Sequence, residues 1–330
     1  MNRISLKQIA EQLHVSHMTL YRVINSDPRV KESTRIRITR ILNSHGYYMA
    51  KNQKYQTAIF DCDPTSRYMQ ILLQKVESML PHQKLRIVYV DHITNHSLFM
   101  KEVQDATIVV FAPMRNREIY EEVKKVNPDI LALNIMGDLI GDIAIAGDDF
   151  QGGSIAARYF LNYGHNKHVA VVSDGEKIFL SGSFNNRKKG FLGEILANAP
   201  NCRVDQINMC SGSVRCRQDS ICSLMEYFNN QTEFPSAFFC TGEFFAKIFY
   251  DTVQILHKKI PDDFSLLSYD TDERFDRVEF SLEDIAEWTR FFIMNRSLQT
   301  NTSPVHLLLN MKIVSSGTVK KLSGREKSKI

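Results

Sequence analysis

Residues 4–46 read ISLKQIAEQLHVSHMTLYRVINSDPRVKESTRIRITRILNSHG, and three helical signals follow one another in this stretch. Ser5 and Gln8 fit a capping box, in which the hydroxyl accepts from a free backbone N–H and the amide reaches back. A second helix begins near Ser16, and the turn cluster at residues 25–28 ends it. Two short helices joined by a tight turn and braced by a third predict a helix-turn-helix head.

The apolar residues of each helix recur on one face, which predicts a small common core. They are Ile9, Ala10 and Leu13 in the first helix, Leu20, Val23 and Ile24 in the second, and Ile38, Ile41 and Leu42 in the third. Gly46 stands where a helix ends in a left-handed residue.

The second helix of such a head offers its N-terminal residues to the major groove of DNA. His17, Met18 and Arg22 are the outward side chains nearest to that end. Arg22 can form a bidentate pair with guanine, His17 can bond to a base edge, and Met18 can pack on a thymine methyl group. Each has an ordinary alternative, such as a solvated charge for Arg22 and a core position for Met18. Their common position on one face favours a reading surface.

Short polar side chains near the helix ends suit phosphate oxygens. These predicted contacts are Ser5, Ser16, Thr19 and Asn25. Residues 1–56 hold 10 Lys and Arg against 3 Asp and Glu, whereas the rest of the chain has a balance of −3. The positive charge is therefore concentrated on the head, as phosphate binding requires.

This head resembles that of the lactose repressor and galactose repressor (LacI/GalR) family, whose pattern is T-[IL]-K-D-V-A-x-x-A-G-V-S-x-x-T-V-S-R-V-[IL]-N. Residues 5–10 and 15–25 follow the pattern, and Thr34 matches a further family position, so it joins the predicted DNA contacts. Three positions depart from it. His14 replaces the usual turn glycine, which predicts a left-handed non-glycine residue; Tyr21 replaces a serine; and Lys31 replaces a serine-like helix cap.

Strands alternate with helices after the head, with strands predicted at 57–62, 85–90, 107–112 and 130–135. This order is typical of doubly wound parallel sheets, which bind ligands at the carboxyl ends of their strands. Residues 143–173 resemble the family's second signature. The resemblance implies an all-α head and a two-lobed α/β body like a periplasmic binding protein. The predicted domains are a head at 1–48, a degenerate hinge at 49–56, an N-terminal lobe at 57–146 and 281–303, a C-terminal lobe at 147–280 and 304–322, and a basic tail at 323–330.

Four residues fall where the family contacts its effector. Arg187 lies in a motif like R-x-x-G-[FY], and its guanidinium suits a carboxylate, a phosphate or sugar hydroxyls. Its alternative role is that of a surface charge on a helix. Asp270 follows an apolar strand, Glu243 stands at the usual aspartate, and Tyr68 stands at an aromatic position that packs against the ligand. Gly242 replaces a residue that is often a polar contact.

Other functions have little support in the sequence. The six cysteines match no common zinc spacing, and His92 and His96 look like surface histidines, so we predict free thiols and no metal. No signal peptide or membrane span is apparent, which favours the cytoplasm. The motifs typical of nucleotide-binding proteins, serine hydrolases and zinc proteases are missing, so neither a cofactor nor catalytic residues are expected.

We therefore expect a homodimeric transcription regulator that binds a palindromic operator in double-stranded DNA and responds to a small effector, such as a sugar, held between the lobes. A second hypothesis is a regulator of the same fold that has lost small-molecule control. The departures in the hinge and at Gly242 motivate it. A third hypothesis is an enzyme whose catalytic pair carries no recognisable motif.

Overall fold

The structure is a computed structural model. It describes residues 6–24, 29–44, 56–63, 67–80, 85–114, 116–174, 182–209, 214–270, 272–295 and 303–322. Several predictions lie outside what it describes. They are those for Ser5, Asn25, Gly46, the hinge up to residue 55, Cys210, the side chains of Tyr68 and Cys216, and the tail 323–330.

The head contains three helices: α1 (Leu6–Gln12), α2 (His17–Ile24) and α3 (Glu32–Ser44). Their apolar faces meet in one buried cluster, as predicted. The fully or almost fully buried members are Ile9, Ala10, Leu20, Val23, Ile38 and Leu42. Each large side chain contributes about 1.5–3 kcal/mol by its burial, which holds these short helices together.

The turn between α1 and α2 contains the predicted left-handed residue. His14 has φ 51°, a conformation that glycine adopts without strain and that other residues rarely adopt. Its N–H donates to the carbonyl of Glu11, and the next N–H, of Val15, donates to the carbonyl of Ala10. The chain thus keeps the family's tight turn without the family's glycine.

The first α/β sheet is parallel in its central pairs and has the order β11-β5-β4-β3-β1-β2 among the residues described. Its strands are β1 (Gln56–Cys62), β2 (Leu85–Val90), β3 (Ile108–Ala112), β4 (Leu131–Ile135), β5 (Ile143–Gly147) and β11 (Val305–Leu309). The helices of this part are α4 (Arg67–Ser78), α5 (His96–Asp105), α6 (Arg117–Val126) and α11 (Leu282–Met294). The four predicted strands are confirmed, with bounds that differ by one residue at most.

The second sheet has the order β12-β10-β9-β8-β6-β7 over the described ranges, and its pairs are parallel except for β10 with β12. Its strands are β6 (His168–Asp174), β7 (Arg203–Met209), β8 (Ala237–Cys240), β9 (Ser265–Tyr269), β10 (Asp276–Glu279) and β12 (Lys312–Val314). Its helices are α7 (Asp149–Asn162), α8 (Gly182–Asn198), α9 (Val214–Asn229) and α10 (Glu243–Ile255).

The chain divides into two compact units. The first contains the described residues up to Ile135, Leu139–Ala144 and Ala286–His306. The second contains Met136–Asp138, Ile145–Ile285 and the described residues from Leu307 onward. A helical head and two parallel-sheet α/β lobes were the predicted fold class, and this prediction is confirmed.

In the second unit, helices α7 and α8 approach each other until their backbones touch. A Cβ atom built on Gly153 would lie 1.9 Å from the carbonyl oxygen of Arg187, and one built on Gly190 would lie 2.0 Å from that of Phe150. Real Cβ atoms do not approach so closely, so glycine is required at both positions. This contact determines where α8 presents Arg187.

A buried carboxylate holds the last described segment of the second unit. Asp276, at the start of β10, is fully buried. One of its oxygens, Oδ1, accepts from the backbone N–H groups of Ser316, Gly317 and Thr318 at 2.5, 2.6 and 3.1 Å. The other, Oδ2, accepts from the N–H of Val319 at 3.2 Å and from the hydroxyl of Tyr159 at 3.0 Å. The carboxylate is thus the common acceptor of a segment in which Ser316 and Gly317 are exposed and Val319 is buried.

The prediction that His92 is a surface histidine is wrong. Its Nδ1 lies 2.6 Å from Oδ2 of the buried Asp61, whose other oxygen accepts from the His92 backbone N–H at 2.8 Å. The parallel register pairs Asp61 with Val90, so the residues that follow β2 reach this carboxylate. His96 is exposed, as predicted, and pairs with Glu122.

We expect the His92–Asp61 pair to make stability depend on pH. The hydrogen bond to Asp61 raises the pKa of His92 above its ordinary value of 6.5, and burial opposes the rise. The charged pair therefore stabilises the fold fully below about pH 6.5, and this contribution is lost as the pH rises through the higher pKa of the folded state. The His92→Gln variant should lose about 1.5–3 kcal/mol of unfolding free energy in acid and less in base.

Denaturant unfolding at about pH 5.5 and pH 8.5 measures this difference. The control is His96→Gln, because that exposed pair with Glu122 should contribute at most about 1 kcal/mol. Equal losses for His92→Gln at both pH values would contradict the expected dependence.

Candidate nucleic-acid interface and ligand-binding site

Helix α2 presents the predicted reading residues together. His17, Met18 and Arg22 are all exposed, and Leu20 and Val23 on the opposite side are buried in the head core. Met18 is 59% exposed, so its alternative role as a core filler is wrong. The three side chains thus lie on the solvent side of one short helix, where a groove of DNA can receive them.

Ser16 directly precedes α2 and caps its start, as its sequence position predicts. Its Oγ accepts from the backbone N–H of Thr19 at 3.0 Å, and the two hydroxyl oxygens lie 2.8 Å apart. Ser16 is exposed, Thr19 is half-buried, and Thr34 is half-buried in the first turn of α3. Each of these short polar residues lies at or near the start of a helix, the position from which such groups bond to phosphate.

The second unit builds a polar cluster around Arg187, which is buried rather than on the surface. Its Nε donates to Oδ1 of Asp149 at 2.7 Å, and its Nη1 donates to the carbonyl of Thr241 at 2.7 Å. The carboxylate of Asp270 lies 3.8 Å from Nη1. Burial alone would lower the pKa of Arg187, but the negative charge of Asp149 and the groups of Tyr269 and Asp270 outweigh this and raise the pKa. The guanidinium is therefore a permanent cation between two acids.

Two aromatic rings complete the surroundings of this guanidinium. The carbon at its centre lies 3.6 Å from the ring centre of Tyr269 and 5.3 Å from that of Phe184. A cation over an aromatic face gains about 0.5–2 kcal/mol. The hydroxyl of Tyr269 also donates to Oδ1 of Asp149, at 3.1 Å. Arg187 and Asp149 thus share a partner and are held in one geometry.

Asp270 follows β9, as predicted, and takes up an unusual conformation. Its φ of 77° lies in the left-handed region, which costs a residue other than glycine free energy. Burial raises the pKa of its carboxyl group, Arg187 lowers it, and the carboxylates of Asp149 and Glu243 raise it further. With part of its side chain exposed, Asp270 can accept a hydrogen bond from a bound molecule.

Glu243 lies in the first turn of α10 and forms an ion pair with Lys247, one turn further along the helix. The cap residue Gly242 supplies no side-chain bond to the helix. A Cβ atom at Gly242 would lie 3.0 Å from the ring of Phe184, so this ring occupies the space that a larger residue would need. At this position the family often has a polar residue that contacts the ligand. Here the ring of Phe184 takes the corresponding space.

The sequence assigned Arg187, Glu243 and Asp270 to this site but missed several of their partners. These are Asp149, Phe184, Thr241 and Tyr269. Asp149 lies within residues 143–173, which resemble the family's second signature, and this was the available signal. The side chains of Asp149 and Tyr269 meet Arg187 through the packing of α7, α8 and β9, which no local pattern reveals.

A group of possible metal ligands lies in the first unit. Asp61, Asp91 and His92 place one ligand atom each within 4.8 Å of one another. Both oxygens of Asp61 already bond to His92, and Oδ1 of Asp91 accepts from the N–H of Ile93. These bonds explain the cluster as a means of holding the turn after β2. The described cysteines Cys62, Cys202, Cys222 and Cys240 are free thiols, as predicted.

The chain combines a helix-turn-helix head, in which Lys and Arg outnumber Asp and Glu, with two parallel-sheet α/β lobes. This combination is typical of DNA-binding transcription regulators. The family model described as "Bacterial regulatory proteins, lacI family" matches residues 5–49. Within these residues the chain matches the DNA-binding head of that family. The relatives that match most of the chain are transcription repressors, so they favour a regulator over the enzyme hypothesis.

Several known proteins are similar to this chain over most of its length. The "Probable HTH-type transcriptional repressor ExuR" of Bacillus subtilis (strain 168) is 21% identical over 279 residues, which are 81% of each protein. A LacI family regulator from Enterococcus faecium with bound ribose has a TM-score of 0.63 at 15% identity and covers 81% of this chain and all of that one. The lac repressor dimer bound to operator and the anti-inducer ONPF has a TM-score of 0.62 at 15% identity, over 97% of this chain and all of that one. At this identity, the two structures establish the fold of the lobes.

Within the described ranges, we find no helix whose length and apolar character would let it span a bilayer.

Proposed function

We propose that this protein is a homodimeric repressor that binds a palindromic operator through α2 and responds to a small molecule bound at the Arg187 cluster. The exposed face of α2, with His17, Met18 and Arg22, supports the DNA-reading role. Ser5, Ser16, Thr19, Asn25 and Thr34 are the proposed phosphate contacts. Two heads related by a twofold axis read two half-sites, so the operator is palindromic. Binding an operator requires a cytoplasmic location, where bacterial DNA is found.

The effector that the Arg187 cluster fits best is neutral and rich in hydroxyl groups, as a sugar is. This rests on one observation: Asp149 and Asp270 already flank the guanidinium, at 2.7 and 3.8 Å. Two carboxylates leave this arginine no net positive charge with which to attract an anion. Carboxylates accept hydrogen bonds from hydroxyls, and the guanidinium donates them. Glu243, and Tyr68 as a stacking aromatic, complete the proposed effector contacts.

The effector class is tested by titrating the full chain with ribose, cellobiose, glucuronate and guanine. The readouts are the melting temperature and the affinity for a duplex selected from random sequences. A neutral sugar should raise the melting temperature and change DNA affinity, whereas glucuronate should do neither. A response to glucuronate alone would contradict a neutral effector.

The second candidate function, a regulator without small-molecule control, is favoured by Gly242, where the ring of Phe184 takes the space of a polar contact. It predicts selective DNA binding that none of the titrated molecules changes. The same titration therefore separates the two candidates.

Arg22→Ala should relax the sequence preference. A bidentate arginine–guanine pair contributes about 1–3 kcal/mol of discrimination, so the variant should bind the selected duplex and a duplex changed at that guanine with similar affinity. Fluorescence anisotropy with both duplexes measures this.

Arg37→Ala is the matched control, because this exposed arginine on α3 removes the same charge from the head without lying on α2. It should weaken binding to both duplexes equally, if at all. If Arg22→Ala behaves in the same way, Arg22 contacts phosphate rather than a base.

A further inference from the structure

The outward face of α2 contains a residue that the reading surface above does not include. Successive residues of an α-helix are separated by about 100°. The direction opposite to the buried Leu20 and Val23 therefore points along Met18, with Arg22 about 50° to one side and Tyr21 about 50° to the other. Tyr21 thus lies closer to the centre of the exposed face than His17 does, which is about 90° away.

Tyr21 is also exposed to an unusual degree for its size. It is 57% accessible and its neighbour Met18 is 59% accessible, and no other large hydrophobic side chain is exposed in the described part of the head. The two form an apolar strip in a head that is otherwise polar and cationic. More than half of the surface of each side chain is accessible, so a partner that buries this surface gains free energy.

The major groove of DNA offers one apolar group at the base edges, the 5-methyl group of thymine. We propose that Tyr21 is a specificity-determining residue that reads a thymine methyl group beside the base pair contacted by Arg22. The assignment rests on the proposed insertion of α2 into the major groove. The aromatic ring provides the contact surface, because methyl groups pack on ring faces and edges without needing a hydrogen bond. The serine that the family usually has at this position cannot provide such a surface.

The experiment uses the full chain and the duplex that wild type selects from random sequences. Each thymine of one half-site is replaced in turn by uracil, which removes the methyl group and leaves the base-pairing edge unchanged. Burying one methyl group corresponds to about a fourfold change in affinity. Wild type should therefore lose about fourfold at one thymine or more, and Tyr21→Phe should lose the same at the same thymine. Tyr21→Ser should bind the thymine and uracil duplexes equally at that position and keep its guanine preference.

Three results would overturn the assignment. In the first, Tyr21→Ser keeps the wild-type uracil pattern. In the second, no uracil substitution weakens wild type. In the third, wild type selects no sequence at all. That result would refute the proposed reading of DNA by α2, whereas the first two results would refute only the role of Tyr21. Melting curves for Tyr21→Ser and Tyr21→Phe show that the head is folded in both.

Discussion

Asp276→Ala should strongly destabilise this chain, with a loss of about 3–5 kcal/mol of unfolding free energy. The carboxylate is fully buried and accepts from four backbone N–H groups between Ser316 and Val319 and from Tyr159. Alanine removes the acceptor from all these donors, and a donor left unpaired and buried, such as the N–H of Val319, costs about 1–3 kcal/mol. The whole of a typical domain's stability is about 5–15 kcal/mol, so the second unit should be largely unfolded at 37 °C.

Denaturant unfolding followed by circular dichroism measures the effect. Asp262→Ala is the control, because Asp262 is an exposed aspartate of the same unit and its loss should change stability by less than about 0.5 kcal/mol. Asp276→Asn should fall between the two, since the amide keeps one acceptor oxygen but turns a donor toward the N–H groups. Equal stability of Asp276→Ala and Asp262→Ala would refute the structural role of this carboxylate.

Arg187→Ala should abolish the response to the effector and also destabilise the second unit. Its position in the effector motif alone predicts that only the ligand response changes and that DNA binding stays intact. The structure revises this, because Arg187 is buried against Asp149 and its removal leaves that carboxylate without its cation. Breaking a buried pair from one side costs about 3–5 kcal/mol.

The two effects can be separated by removing both charges. In the double variant Arg187→Met with Asp149→Asn, no charge of this pair remains uncompensated, and the asparagine can still accept from Tyr269. Stability should recover most of the loss. The response of DNA affinity to the sugar that changes it in wild type should stay absent. A single Arg187→Ala variant that responds normally to that sugar would disprove the assignment of the site.

The head could be predicted almost completely from its sequence. Its three helices are short and strongly amphipathic, and local signals such as Ser16 at a helix start and His14 in the turn were sufficient. Helix α5 was not predicted, because its buried residues Phe99 and Val103 stand beside the apolar but exposed Leu98, so its apolar residues do not fall on one face. Local patterns define helices best where the apolar face is dense.

Interactions between distant residues were predicted less well. Arg187 was placed at the site by its position in a motif, but its partner Asp149 lies 38 residues earlier in the chain. The bond between Asp61 and His92 spans 31 residues and depends on the register of β1 against β2. Register and helix packing are set by the whole core, so a residue's local surroundings do not reveal such pairs.

The glycines at 153 and 190 have a consequence for how the ligand site can evolve. Because the main chains of α7 and α8 touch there, Asp149 and Arg187 are carried by two helices that cannot slide past each other. A new ligand should therefore not be accommodated by an increase in the distance between Asp149 and Arg187. Altered ligand preference should therefore arise through substitutions at Asp270, Glu243 or Phe184. The pair of Asp149 and Arg187 should stay unchanged while the ligand preference evolves.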